Sequence, residues 1–241
     1  MAGRHWSHKA QQGSQPDLVP LNGSLILFDV DGTLLDAGDL IARTMIEAFL
    51  AAGEAPPRTA DVRSIIGLSL PEMVAHLADK QSADLQAKIL SGYRLRYFDL
   101  VEQEETPEVF PGADKALRRL REAGFVLGLT TGKARRSTEF MLSDNNWGQY
   151  FHTVQCADDN PSKPDPTMVR RAMMATGRSI GETLLVGDSR YDMRMARAAG
   201  IRAVGVNWGY NQGVELLSEG AICVARDFEH LAALLLPEAV V

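Results

Sequence analysis

The most constraining stretch of the chain is Leu25-Ile26-Leu27-Phe28-Asp29-Val30-Asp31-Gly32-Thr33. An unbroken apolar run reads as a strand buried on both faces, the habit of a parallel sheet. A carboxylate is costly inside such a sheet. Asp29 and Asp31 are therefore expected at the strand's carboxyl end, where open α/β sheets form their ligand crevice. Their spacing of two puts both on one side of an ideal strand, and Gly32 lets the chain turn sharply away. Taken alone, the stretch also reads as an Asp-Gly turn capped by its own carboxylates. The downstream sequence decides between the two.

After Thr33 the period changes from strand to helix. A helix is expected to begin at Ala37 or Asp39 and to run through Ile41, Met45 and Phe49 toward Gly53. Ser69-Leu70-Pro71-Glu72 has capping-box spacing ahead of Met73, Val74 and Leu77. Ser82 is placed to cap a longer helix that carries Leu85, Ile89, Tyr93 and Tyr97. Glu102, Glu104 and Glu105 read as a solvated exit linker. From Phe110 onward the rhythm is βα: strands over 125–130, 151–156, 183–186, 202–206 and 221–224, helices over 113–123, 134–144, 167–176, 191–199 and 228–235. Such alternation predicts an α/β fold, a parallel sheet with right-handed crossovers. The expected division is a core of residues 20–36 and 107–241, an inserted α-helical cap of residues 37–106, and a disordered N-terminal extension of residues 1–19.

Composition narrows the partners. A net charge of -6 and a pI near 5.4 argue against a nucleic-acid surface. The apolar run 231–236 is too short to span a membrane, and residues 1–22 lack the apolar core of a signal peptide. Cys156 and Cys223 match no zinc spacing and read as buried free thiols in a reducing compartment, which points to the cytoplasm. His5 and His8 are weak evidence for a metal-binding tail. Monomer and homodimer both stay open.

Four polar sets fall at the carboxyl ends of predicted strands: Asp29 with Asp31; Thr131-Gly132-Lys133; Lys163 in a Pro-rich segment; and Gly187-Asp188 with Asp192. Each has an ordinary reading. Thr131 or Asp188 could cap a helix, Lys163 could lie on the surface, and Asp192 could be solvated. Together they would face one crevice, and their chemistry is complementary. Carboxylates from separate segments repel one another unless a cation sits among them, and hard oxygen donors with room for water suit Mg²⁺. A hydroxyl, a lysine and backbone N–H groups at helix N-termini suit a phosphate. A carboxylate free to attack phosphorus completes a phosphoryl-transfer site.

On these four motifs in this order, over about residues 24–235, the chain resembles the haloacid dehalogenase superfamily, in its phosphoglycolate phosphatase-like branch. The resemblance implies a Rossmann-like parallel sheet with a helical cap inserted after the first motif. It implies a phosphatase acting on a small phosphorylated metabolite, with Asp29 as nucleophile and Asp31 as general acid and then base. Thr131, Gly132 and Lys163 would hold the phosphoryl oxygens. Asp29, the Asp31 backbone carbonyl and Asp188 would bind Mg²⁺, and Asp192 would orient its waters or Lys163. Many relatives carry Asn where this chain has Gly132. An acid at Asp31 argues against halide displacement. A sugar-phosphate mutase is the alternative, but Leu70 stands where such mutases carry a basic residue. Specificity would come from the cap: the loop Ile66-Gly67-Leu68-Ser69, with Arg63, Tyr93, Arg94 and Arg96 in reach of a substrate carboxylate, and Trp208 at the rim.

Overall fold

The computed structural model describes residues 23–103 and 105–236. The expected N-terminal extension, with His5 and His8, and Glu104 of the acidic run lie outside them. Strand β1 (Leu25–Phe28) is completely buried. Its side chains divide by the two-residue period of a strand: Ile26 and Phe28 enter one core layer, Leu25 and Leu27 the other. A short strand β2 (Leu35–Asp36) then leads to four helices, α1 (Gly38–Ala52), α2 (Thr59–Arg63), α3 (Leu70–Leu77) and α4 (Ala83–Glu102). The chain returns through β3 (Glu108–Val109), which pairs antiparallel with β2 in the register Leu35↔Val109 and Asp36↔Glu108. This two-strand neck was not expected, because two residues carry no readable period.

The remaining elements are α5 (Ala113–Glu122), β4 (Val126–Thr130), α6 (Arg135–Asp144), β5 (Phe151–Gln155), α7 (Thr167–Thr176), β6 (Thr183–Gly187), α8 (Arg190–Ala199), β7 (Arg202–Val206), α9 (Gly213–Ser218), β8 (Cys223–Ala225) and α10 (Phe228–Leu235). Among the described residues, six strands form a parallel sheet in the order β5-β4-β1-β6-β7-β8. On one face Leu117 and Leu120 of α5 pack with Phe228 and Leu231 of α10. On the other, Met168 and Ala172 of α7 pack with Met193 and Ala196 of α8. The last predicted strand starts two residues and ends one residue later than expected, and α9 was not anticipated.

The helices between β2 and β3 have a core of their own. Met45 of α1, Val62 of α2, Met73 and Val74 of α3, and Ile89, Tyr93 and Tyr97 of α4 form one buried cluster. Helix α4 starts as its sequence predicts, with Ser82 Oγ accepting the Leu85 N–H at 3.3 Å. Helix α3 does not use its capping box: the backbone N–H of Ser69, which Glu72 would have to reach, already donates to Ser162 Oγ at 2.8 Å. Of the acidic run, Glu102 and Glu105 are exposed, as a solvated exit segment requires, with Glu102 ending α4 and Glu105 pairing with Arg43. Cys156 is buried and Cys223 half-buried, both as free thiols.

The sheet interior sets stability. Leu129 in β4 is fully buried. Leu129→Ala is expected to lower the unfolding free energy by about 2–5 kcal/mol. Urea denaturation should show the midpoint falling while the slope stays constant.

Candidate active site

Strand β1 sits between β4 and β6, so its carboxyl end opens where the loops after three neighbouring strands meet. The Asp29 N–H closes the sheet by donating to Val186 O at 3.0 Å. The chain then turns at Gly32, whose φ is +92°. A Cβ there would lie 2.4 Å from Asp188 Oδ2, so conformation and space both demand glycine.

Asp29 is 1% exposed, and Lys163 Nζ lies 2.6 Å from its Oδ1. The same ammonium lies 2.7 Å from Asp192 Oδ1. Lys163 is thus neither on the surface nor at the cavity wall. It is buried behind Asp29 as the link between two carboxylates. Asp192 is likewise not solvated. Its Oδ2 accepts from the Ser189 backbone N–H at 3.1 Å and from Ser189 Oγ at 2.5 Å, a capping box that opens α8. Asp188 does not cap that helix. Its Oδ2 accepts the Tyr210 N–H at 2.8 Å, and its Oδ1 accepts from Thr33 Oγ1 at 3.3 Å.

Asp29, Asp188 and Asp192 each bring a buried oxygen within 4.8 Å of the others. Three carboxylates face one ammonium. Burial drives the Asp29 carboxyl well above the usual carboxylate range, and Lys163 offsets this only in part. Burial, reinforced by Asp192, pushes Asp188 up to about 7. Burial would strip the proton from Lys163, but Asp192 and Asp29 outweigh it and raise its pKa. Asp29 Oδ2 is buried with no hydrogen-bond partner. An acceptor left in that state is costly, and a divalent cation among these oxygens would satisfy it and the surplus charge together. The donor set therefore fits such an ion.

The side chain of Asp31 stands apart from this cluster. Lys133 Nζ contacts its two oxygens at 2.7 and 2.9 Å. Asp29, Asp31, Thr131, Gly132 and Lys133 all line a cavity of about 640 Å³. Thr131 is buried, and its Oγ1 accepts the Lys133 N–H at 3.1 Å. Burial works against the charge on Lys133, but Asp31 and then Tyr97 of the cap outweigh it and raise its pKa. Its Nζ sits 5.5 Å from the Tyr97 ring centre. Lys133 stands two residues after Thr131 in the second motif, yet spacing alone does not reveal that it turns toward Asp31.

From the cap, Tyr93 and Arg94 line the cavity together with Ile66, Leu68 and Leu70. Arg63 and Arg96 do not. They are held by Asp39 and Glu47. Trp208 packs on the core, donating from Nε1 to Thr33 O at 2.9 Å and lying 4.5 Å from the Phe228 ring.

Comparison with known proteins agrees with this geometry. The model of the haloacid dehalogenase-like hydrolase family matches residues 26–206. A phosphoglycolate phosphatase of Pseudomonas fluorescens is 31% identical over 228 residues, 90% of this chain and 84% of its own length. The phosphoglycolate phosphatase of Rhodobacter capsulatus is 31% identical, over 78% of this chain and 85% of its own. The crystal structure of a hydrolase from Pseudomonas syringae superposes with a TM-score of 0.78 at 25% identity, covering 87% of this chain and 96% of that one. With the matched region running from β1 to the end of β7, the chain belongs to the haloacid dehalogenase-like hydrolases.

Proposed function

We propose that the protein is a cytoplasmic, Mg²⁺-dependent phosphatase that hydrolyses a small phosphorylated metabolite through an aspartyl-phosphate. The observation that carries this reading is Asp29: a buried carboxylate at the cavity floor, with one oxygen on Lys163 and the other without a partner. The Asp29 carboxylate forms the new bond to phosphorus as the bond to the leaving alkoxide breaks. Asp31, its two oxygens held by Lys133, gives a proton to the alkoxide. It then takes one from the water that cleaves the aspartyl-phosphate. Thr131 and the Gly132 N–H hold phosphoryl oxygens, and Lys163 fixes Asp29 in place. The ion would be held by Asp29, Asp188 and the Asp31 backbone carbonyl, with Asp192 behind them. When bound, it supplies charge neutralisation for the phosphoryl group. Leu70 at the cavity wall offers no charge to a second phosphate, which favours hydrolysis over the mutase alternative.

Asp29→Asn keeps the shape and removes the nucleophile. Phosphate release from p-nitrophenyl phosphate should fall by about 10³-fold or more, with the circular dichroism spectrum unchanged. Persistent turnover in that variant, or turnover indifferent to a chelator, would contradict the mechanism.

The raised carboxyls also predict how stability follows pH. A carboxyl whose pKa is higher folded than unfolded contributes stability that is fully present below the unfolded value and is lost as pH rises through the folded value. For Asp188 that window runs from the ordinary carboxylate range to about 7. Mg²⁺ competes with those protons, so its stabilisation should be larger at pH 8 than at pH 5. At a hundredfold excess over its Kd, thermal denaturation at pH 8 should show a gain of about 5–10 °C. Equal gains at both pH values would exclude the buried carboxylates as its ligands.

A further inference from the structure

The cap and the core meet along a seam of backbone on the cap side, met by the bare backbone of Gly132 and by the side chains of Ser162, Ser189 and Arg190 on the core side. The loop between α2 and α3 touches three of the four core segments that form the site. A Cβ built on Gly132 would lie 2.4 Å from Leu68 O, 2.8 Å from Leu68 C and 2.9 Å from Gly67 O. Gly132 is not in the left-handed region, so what it provides is space and not conformation. One residue further along the loop, the Ser69 N–H donates to Ser162 Oγ, next to Lys163. Gly67, at φ +110°, approaches the segment after β6 so closely that a Cβ would lie 2.8 Å from Ser189 Oγ. Arg190 Nη2 donates to Ser64 O at 3.1 Å.

We propose that Gly132 is the seat of the cap: its missing side chain sets how near the loop Ile66–Ser69 comes to Thr131, and so sets the size of leaving group the chamber accepts. The obstacle to any larger residue is main chain, which cannot swing aside like the tip of a long side chain. A Cβ at this position needs roughly 1 Å of additional separation to reach ordinary contact. The loop would have to move as a unit, taking Ile66, Leu68 and the Ser69 hydrogen bond with it. A small ester depends on that closure for positioning and for exclusion of water, and a displacement of this size costs about 10²-fold in rate. A bulky ester, which fills the chamber by itself, depends on it less. The selectivity half of this inference rests on the phosphatase reading. The seat itself does not.

The test uses the full chain without ligand, as Gly132→Ala and Gly132→Asn, with Gly148→Ala as control. Gly148 has no atom within 4 Å of a built Cβ. Hydrogen exchange at the Ser69 amide should be about tenfold faster or more in both Gly132 variants and unchanged in the control, with the far-ultraviolet spectrum intact in all three. Because the Gly132 N–H also serves the phosphoryl group in the proposed reaction, selectivity is read as a ratio: kcat for a two- or three-carbon phosphate ester relative to kcat for p-nitrophenyl phosphate should fall by about tenfold or more, and an equal loss on both esters would overturn the role in specificity. Wild-type exchange at Ser69 in the Gly132 variants would overturn the seat. Faster exchange with unchanged selectivity would overturn its role in specificity. If Gly132→Asn does not fold, Gly132→Ala decides, because the clash begins at Cβ. A wild-type chain with no turnover would refute the phosphatase reading and leave the exchange result to judge the seat.

Discussion

Everything in the site depends on one buried ammonium. Lys163 lies between Asp29 and Asp192, with all three side chains essentially removed from solvent. Desolvating three charges is expensive, and a hydrophobic replacement of similar volume would often be at least as stable. The arrangement is better understood through what it positions. Lys163 holds one oxygen of Asp29, and Ser189 holds Asp192 so that it holds Lys163. Asp29 is thereby fixed with its second oxygen still unsatisfied. The instability concentrated at that atom is the chemical potential the site offers to an electrophile or a cation.

The parallel sheet explains why these groups meet. Each strand delivers its following loop to the same edge, and the order β4-β1-β6 places three such loops side by side. The β2–β3 pair adds the second necessity. It ties together the points where the chain leaves and rejoins the core, so a helical unit with its own apolar cluster can stand over the cavity without interrupting the sheet. The buried carboxylates and lysines thus lie in the loops of the core, and the inserted helices supply part of the cavity wall.

Much of this was legible in the sequence, where pattern and physics coincide. Buried strands and amphipathic helices announce themselves by period, and Thr167–Thr176, Arg202–Val206 and Phe228–Leu235 lie where their patterns put them. The four polar sets could be placed at one edge because strand ends are readable. What remained hidden is what periodicity does not encode. The neck is too short to have a period. Ser69 has capping-box spacing, yet its N–H is taken by a serine 93 positions away. Arg63 and Arg96 resemble substrate-binding cations until Asp39 and Glu47 are seen against them. Lys133 and Asp31 are separated by 102 residues, and only the folded chain shows that they pair.

The two lysines also divide the labour between the two motif-one carboxylates. Lys163 is buried, and its ammonium pairs with two carboxylates of the core, Asp29 and Asp192. Lys133 lines the cavity and lies against Tyr97 of the cap. The ion pair that holds Asp29 is therefore made within the core, whereas the lysine that holds Asp31 also lies against a ring of α4. In the proposed reaction, the nucleophile is positioned by the core, and the proton-transfer group by a lysine that also touches the helices above the cavity. That separation ties the step most sensitive to the leaving group to the part of the protein that encloses it.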